Sequence, residues 1–383
     1  MDFELSEDQK LLVNTVQSFV RKDSPVERMR RLRDTPLGFD PKVWKQMGEL
    51  GWLGVMFPEG AGGAGMSFVE MGLIVEQLAM NLVPEPILPL IVAGSALARA
   101  GSEAQQEQFL APSVAGEESL ALASSERQSR NDASCVRTRA TRNGQEFVLE
   151  GEKRWVQNGH AADRILVSAR TAGSEGERKG VTLFVLDKST PGLKVTPVKQ
   201  MDGKHGAMLG LSGVKVAADR VVGEVDGAVP LLEACFDLGA AATCCEASGM
   251  MQAVLMMTRN YLTERKQFGR AIGSFQALQH RCVDMFVETE LGKSTAILAM
   301  LKAEEADEVE RKRAISAAKV QTIESGGFVT RQAIQLHGGI GVTDEHDVGL
   351  YFKRMQVLSA LFGDDVFHAR RFASLPTFLA HVS

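Results

Sequence analysis

Two stretches toward the C-terminal end bring together residue types that could hold a phosphorylated ligand. The first, Thr263-Glu-Arg265-Lys-Gln267-Phe268-Gly269-Arg-Ala-Ile-Gly-Ser-Phe275-Gln276, joins a basic cluster to an aromatic ring and a glycine break. An arginine beside such a break can grip a phosphate through two parallel N–H bonds. The second, Gln335-Leu-His-Gly338-Gly339-Ile-Gly341, places glycines at a helix end, where backbone can approach a ligand closely. Alone, each reads as an ordinary helix terminus; their value comes from occurring together. Other chemistries find less support. Gly60-Ala-Gly62-Gly-Ala-Gly65 is a literal G-x-G-x-x-G, but Pro58 interrupts the preceding strand and no βαβ unit follows. A glycine-rich loop between helices is expected there. The seven histidines are scattered without a His-Glu-x-x-His pair. The adjacent Cys244 and Cys245 diverge by ~100° on a helix, so no metal site is expected. Ser124-Ser125-Glu126 lacks the G-x-S-x-G elbow of a serine hydrolase.

The elements that must position these residues fall into three stretches. From the N-terminus to about Ala115 the pattern is helical. Ser6-Glu7-Asp8-Gln9 is a capping box, and Leu12, Val13, Val16, Phe19 and Val20 recur at helical spacing behind it. Further helices are expected near Pro41–Leu50 and from Phe68 through Leu78, with Gly51–Gly60 as a loop. From about Ser119 to Val225 the segments are short and β-branched, as in Val181-Thr-Leu-Phe-Val-Leu, and Gly, Asn, Asp and Pro punctuate them. This predicts an antiparallel β domain. From about Gly227 helical patterning returns over Leu231–Asn260, Phe275–Leu301 and Arg311–Leu336. The expected class is α+β, with an N-terminal helical domain over 1–118, a middle β domain over 119–226 and a C-terminal helical bundle over 227–383. The absence of βαβα alternation argues against a doubly wound nucleotide fold.

With 383 residues the chain is long enough for two or three packed units. Hydrophobic residues at 44% and charged residues at 24% are globular values and exclude disorder or a collagen-like chain. A net charge of -5 argues against a nucleic-acid binder. No uninterrupted apolar run approaches the ~20 residues a membrane span needs. The acidic start lacks signal-peptide character, and five cysteines without CxxC spacing suggest reduced thiols. A cytoplasmic protein is expected.

The ordered set of motifs resembles the acyl-CoA dehydrogenase family along essentially the whole chain. Gly51-Trp-Leu-Gly-Val-Met-Phe-Pro-Glu-Gly is similar to the segment after that family's early helices. Ser125-Glu126-Arg-Gln-Ser-Arg-Asn131-Asp132 occupies the place of its T-E-P-x-x-G-S-D flavin loop. Trp155-Val156-Gln157-Asn158-Gly159 stands where the family has W-I-T-N-G, and the two C-terminal stretches resemble its best-known signatures. The resemblance implies FAD as cofactor, with Ser125, Asn131, Trp155 and Gln157 along the flavin of the same subunit. Arg265, Gln267, Phe268, Phe275, Gln276, Gln335, Gly338 and Gly339 would reach the flavin of a neighbouring subunit, so an oligomer is implied. The implied reaction is α,β-dehydrogenation of an acyl-CoA thioester, with electrons passed to an acceptor protein. Phe236 and Asp237 match the family's Phe-Asp pair on the CoA side, although Ala240 replaces the arginine that often follows.

The catalytic base departs from the pattern. The family keeps its glutamate either in a Tyr-Glu-Gly-Thr segment or two residues after the Phe-Asp pair. This chain has Ala360-Leu361-Phe362-Gly363-Asp364-Asp365 at the first place and Gly239 at the second. Glu246, Asp364 and Asp365 are the substitutes the sequence offers. A narrower branch is also resembled: the pimeloyl-CoA dehydrogenase small subunit and related chains of steroid-degrading bacteria. Some of these resemble half of a two-gene α2β2 complex in which one chain type carries the base and the other does not. The expected function is therefore an FAD-dependent acyl-CoA dehydrogenase subunit working with a second, base-bearing chain. The alternatives are a catalytically silent flavin- or acyl-CoA-binding scaffold and a flavin monooxygenase on the same fold.

Overall fold

The structure, a computed structural model, describes residues 5–376. Seven helices come first: α1 (Glu7–Asp23), α2 (Val26–Leu32), α3 (Pro41–Glu49), α4 (Phe68–Ala79), α5 (Ile87–Ala100), α6 (Glu103–Gln105) and α7 (Ala111–Val114). Eight strands follow: β1 (Leu120–Ala123), β2 (Arg139–Asn143), β3 (Glu146–Gln157), β4 (Arg164–Arg170), β5 (Val181–Asp187), β6 (Leu193–Lys199), β7 (His205–Ala217) and β8 (Val221–Val222). The remainder is helical apart from a small hairpin: α8 (Ala228–Glu264), β9 (Lys266–Gln267), β10 (Arg270–Ala271), α9 (Gln276–Lys302), α10 (Glu308–His337), α11 (Val348–Ala360) and α12 (Asp365–Ser374). Packing divides the chain into two units, one of residues 1–30, 68–83 and 240–383, the other of residues 31–67 and 84–239.

The first unit is all helix apart from the β9–β10 hairpin. α1 begins as its capping box requires: Gln9 N donates to Ser6 Oγ at 3.2 Å, and Ser6 N donates to Gln9 Oε1 at 3.0 Å. Its stripe of Val16, Phe19 and Val20 is buried, and it packs on α4. Glycine sets how closely helices approach here. A Cβ added at Gly249 would lie 1.9 Å from the Glu76 carbonyl oxygen, so α8 meets α4 at a separation only glycine permits. α8 is apolar and long enough to cross a membrane by composition, but 72% of its most apolar window is buried inside the protein.

The second unit is built on the eight-stranded sheet, in the order β6-β7-β3-β2-β4-β5-β8. The pairing is mostly antiparallel. The exceptions lie on β4, which takes β1 in parallel from Leu120↔Arg164 to Ala123↔Val167 and touches β2 in parallel at Arg170. β1 enters from the helical segment rather than from a hairpin, so no tight turn imposes an antiparallel partner. Alternate residues of β3, β4, β5 and β7 form one core that includes Leu149, Ile165, Phe184 and Leu209. Phe147 and Phe184 meet edge to face at 5.1 Å within it.

Candidate functional site

In the sheet unit, the predicted flavin-side residues gather around the loop after β1 and the end of β3. β3 buries Phe147, Leu149 and Lys153 and slips register twice, between Leu149 and Gly151 and between Lys153 and Val156. The second irregularity falls on Trp155, which takes φ of +52° and stands 57% exposed. A bulge re-aims one side chain, and here it turns an indole outward. Gln157 ends the strand, its amide 3.4 Å from the Trp155 carbonyl. Ser125 is exposed, and its carbonyl accepts from Arg154 N at 2.8 Å, tying the loop to the bulge. Arg130 and Asn131 follow with φ of +42° and +69°. A side chain in this left-handed region costs about 1–2 kcal/mol, least for asparagine.

A buried ion pair holds the loop, and sequence reasoning missed it. Lys153 Nζ lies 2.6 Å from Glu126 Oε1, with side-chain exposures of 0% and 3%. Glu126 also accepts from Thr138 N at 3.1 Å, Arg137 N at 2.8 Å and Gln128 Nε2 at 2.8 Å. Burial pushes the Glu126 carboxyl up, but the Lys153 charge and these donors outweigh it and hold the group at about 2. Burial draws Lys153 down to about 8, with Glu126 opposing, so both groups are charged at neutral pH. One carboxylate thus fastens both ends of the 126–138 loop. The available signal was parity: Lys153 shares the inward face of β3 with Leu149, so its charge needed an inward partner.

In the helical unit, Arg265 follows α8 and is exposed. Gln267 and Arg270 pair across a two-residue turn whose central residues, Phe268 and Gly269, both have positive φ, +53° and +77°. This is the primed turn that suits a hairpin, normally made by Asn-Gly. Phenylalanine in its first position is unusual, and the ring is 91% exposed. It meets Phe275 edge-on at 6.1 Å, and Arg270 covers the Phe275 ring at 4.1 Å. Gln276 opens α9. Gln335 is exposed in the last turn of α10, and Gly338 (φ +63°) and Gly339 follow it with open space around their Cα atoms. Beneath them buried His337 stacks on Tyr261 at 4.5 Å, and its Nδ1 bonds the Ala333 carbonyl. The predicted residues thus form two groups, one on each unit.

On α8, Asp237 is fully buried and Phe236 half-buried. Glu246 is buried too, its carboxylate gripped by Arg354 of α11 through Nε at 2.6 Å and Nη2 at 2.8 Å. Near it, Lys319 donates to Thr243 Oγ1 at 2.6 Å and to the Leu358 carbonyl at 2.7 Å. Burial lowers this ammonium to about 8. Asp364 caps α12 by accepting from Phe367 N at 2.8 Å, while Asp365 sits exposed in the first turn. Gly363 has φ of +109°, and an added Cβ would fall 2.6 Å from His368 Nε2.

The residues fit a flavin nucleotide: an outward indole and hydroxyl and amide donors on one unit, an exposed arginine, an outward phenyl ring and uncrowded glycines on the other. Comparison with known proteins gives the family. Sequence models of acyl-CoA dehydrogenases match in consecutive pieces: the N-terminal domain over 6–117, the middle domain over 121–213 and the C-terminal domain over 227–374. The probable acyl-CoA dehydrogenase YngJ of Bacillus subtilis (strain 168) is 30% identical over 356 residues, 91% of this chain and 92% of YngJ. The ChsE4–ChsE5 complex of Mycobacterium tuberculosis is similar with a TM-score of 0.86 and 27% identity, covering 98% of this chain and 100% of that chain. The Tcur3481–Tcur3483 steroid ACAD gives 0.85 and 28%, covering 96% of this chain and 97% of that one. The chain belongs to the acyl-CoA dehydrogenase family, oxidoreductases that act on CH–CH bonds and generally bind FAD.

Proposed function

We propose that this chain is one subunit of a heteromeric, FAD-dependent acyl-CoA dehydrogenase whose α-proton base comes from a second chain of the same family. The observation that carries the reading is the engagement of the candidate carboxylates. Glu246 is locked in a buried two-pronged ion pair with Arg354. Asp364 caps a helix, and Asp365 is exposed beside it on a short side chain. A base must stand within hydrogen-bond reach of the proton it removes, and it must not already be neutralised.

FAD, when bound, would supply the hydride acceptor for the β-hydrogen of the thioester. The chain's own residues bind and align. Trp155 would lie along the flavin, with Ser125, Asn131 and Gln157 as polar contacts from the same subunit. Arg265 would pair with the diphosphate of a neighbouring subunit's cofactor, where Gln267, Phe268, Phe275, Gln276, Gln335, Gly338 and Gly339 would complete the wall. Half-buried Phe236 would face the acyl-CoA thioester, with the fully buried Asp237 behind it. The exposed Phe268, held in a strained turn, gains its contacts from another chain. So does the outer stripe of α9, where Val283, Phe286, Val287 and Leu291 are each 45–57% exposed at helical spacing. Similarity to the ChsE4–ChsE5 complex favours two different chains over a homomer. Similarity to a steroid ACAD favours a steroid-type acyl group. Electrons then pass to a separate acceptor protein, in a reducing cytoplasm suited to free thiols such as the buried Cys235, Cys244 and Cys245.

Co-expression with a second, glutamate-bearing family chain tests the reading. The two should co-purify, and turnover should need both. Full turnover by this chain alone would overturn it.

A further inference from the structure

In the sheet unit, the segment between α2 and α3, residues 33–39, is tied to the end of the sheet by two histidines. His160 Nε2 donates to the Leu37 carbonyl at 2.9 Å, and His205 Nε2 donates to the Arg33 carbonyl at 3.1 Å. A carbonyl only accepts, so each bond places a proton on Nε2 and leaves Nδ1 as the basic nitrogen. The two rings meet edge to face with centroids 5.3 Å apart. Gly38 lies against the second ring: a Cβ built on it would stand 3.6 Å from His205 Nδ1. Local bonds shape the segment, Thr35 Oγ1 to the Leu32 carbonyl at 2.7 Å and Gly38 N to Thr35 Oγ1 at 3.2 Å, but they reach no strand.

A proton added to this pair finds no acceptor. His160 Nδ1 is buried and, among the described residues, has no hydrogen-bond partner. A second N–H there would be stranded away from water. The charged groups on the flanking elements are Arg33 and Asp34 on the segment, Asp163 after β3, Lys188 after β5, and Lys199, Asp202 and Lys204 around the β6–β7 turn. The carboxylates among them are engaged. Asp34 meets Lys199 at 2.6 Å and Arg33 at 3.7 Å, Asp163 accepts from Ser119 N at 2.8 Å, and Asp202 accepts from Lys204 N at 3.0 Å. Burial opposes a charge on His160 most, and a charged His205 and Lys188 add to it, so its proton affinity falls below the ordinary 6.5 although the Leu37 carbonyl favours the charge. An open segment lets His160 reach water, where it can charge freely.

We propose that His160 and His205 form a pH-sensitive latch, which holds segment 33–39 against the sheet at neutral pH and releases it in mildly acid solution as the pair gains charge. The open form binds more protons, so the closed form is complete above pH 6.5 and is lost as pH falls below it. The latch adjoins the end of β3, where Gln157 pairs with Gly206, the residue after His205. It does not depend on the dehydrogenase reading.

Hydrogen exchange of the purified protein, corrected for the intrinsic pH dependence of amide exchange, reads the opening of 33–39 directly. Between about pH 8 and about pH 5 the parent should lose protection there by about 10-fold or more, while the β4 and β5 amides stay protected. In His160→Gln/His205→Gln the side-chain amides can still donate but never charge, so the loss should stay under about 2-fold. An equal loss in parent and variant overturns the latch, and so does a parent segment that stays protected at about pH 5. Should the variant melt too low for comparison, NMR titration of labelled histidines in the parent and in the single His205→Gln variant decides. A His160 midpoint below 6.5 that rises when His205 is removed supports the latch. A midpoint at or above 6.5, or one indifferent to His205, overturns it.

Discussion

Arg354 holds Glu246 from both carboxylate oxygens, at 2.6 and 2.8 Å, with both side chains under 10% exposed. This fork joins α8 to α11 inside the helical unit. A carboxylate so paired stabilises its neighbour's charge rather than removing protons from a ligand. Removing one partner of such a pair strands the other, at a cost of about 3–5 kcal/mol. Glu246→Ala should therefore lower stability by that amount in denaturant titration. The milder Glu246→Gln should leave the rate of flavin reduction in the assembled complex within a few-fold of the parent. A loss of ~100-fold in that rate, the scale of a removed general base, would identify Glu246 as the base.

The Glu126–Lys153 pair should show in the acid limb of stability. The Glu126 carboxyl falls from an ordinary 4.5 to about 2 in the folded protein. A lowered folded-state value means stability that is present above the unfolded value and lost as pH falls toward the folded one. The window is therefore pH 4.5 down to about 2, and the amount is about 3 kcal/mol. Glu126→Gln should flatten that limb in thermal melts at stepped pH. It should also loosen the 126–138 loop and lower flavin retention. An unchanged acid limb would show that the pair contributes nothing.

Lys319 makes a prediction of the same sign at alkaline pH. Its ammonium falls from 10.5 to about 8 because burial disfavours the charge. Between those values the unfolded chain binds the extra proton, so stability rises with pH there. Lys319→Met should remove part of the rise between pH 8 and 10.5, read as the difference between parent and variant melting curves. Parallel curves would show that the lysine does not titrate in that range.

Arg265→Ala tests the cofactor contact proposed across subunits. The side chain is exposed in the isolated chain, so the fold should survive its loss. One charge-assisted contact is worth roughly 1.5–3 kcal/mol, or about a 10- to 150-fold loss of FAD affinity. Flavin fluorescence on dilution measures it, and unchanged retention would remove Arg265 from the site.

Much of this architecture was legible in the sequence because it is local. The Ser6 capping box, the stripe of Val16, Phe19 and Val20 and the change from helical to alternating periodicity each depend on near neighbours. The Phe268–Gly269 break was visible in the sequence and read as a helix terminus; the β-hairpin that it forms was not. What stayed hidden joins distant positions. Arg354 is 108 residues from Glu246, and Lys153 is 27 from Glu126. Periodicity reports that a face is buried, not which charge on another element will meet it. The parallel place of β1 beside β4 was hidden for a related reason: no turn sequence records it.

The central claim is that this chain holds flavin and acyl-CoA but takes its base from a partner. Anaerobic mixing with a panel of straight-chain, dicarboxylic and steroidal acyl-CoAs, followed by flavin absorbance, tests it most directly. The account predicts no bleaching by this chain alone and rapid bleaching by the co-expressed pair, abolished when the partner's own catalytic glutamate is changed to glutamine. Rapid bleaching by this chain alone, abolished by Glu246→Gln, would contradict it.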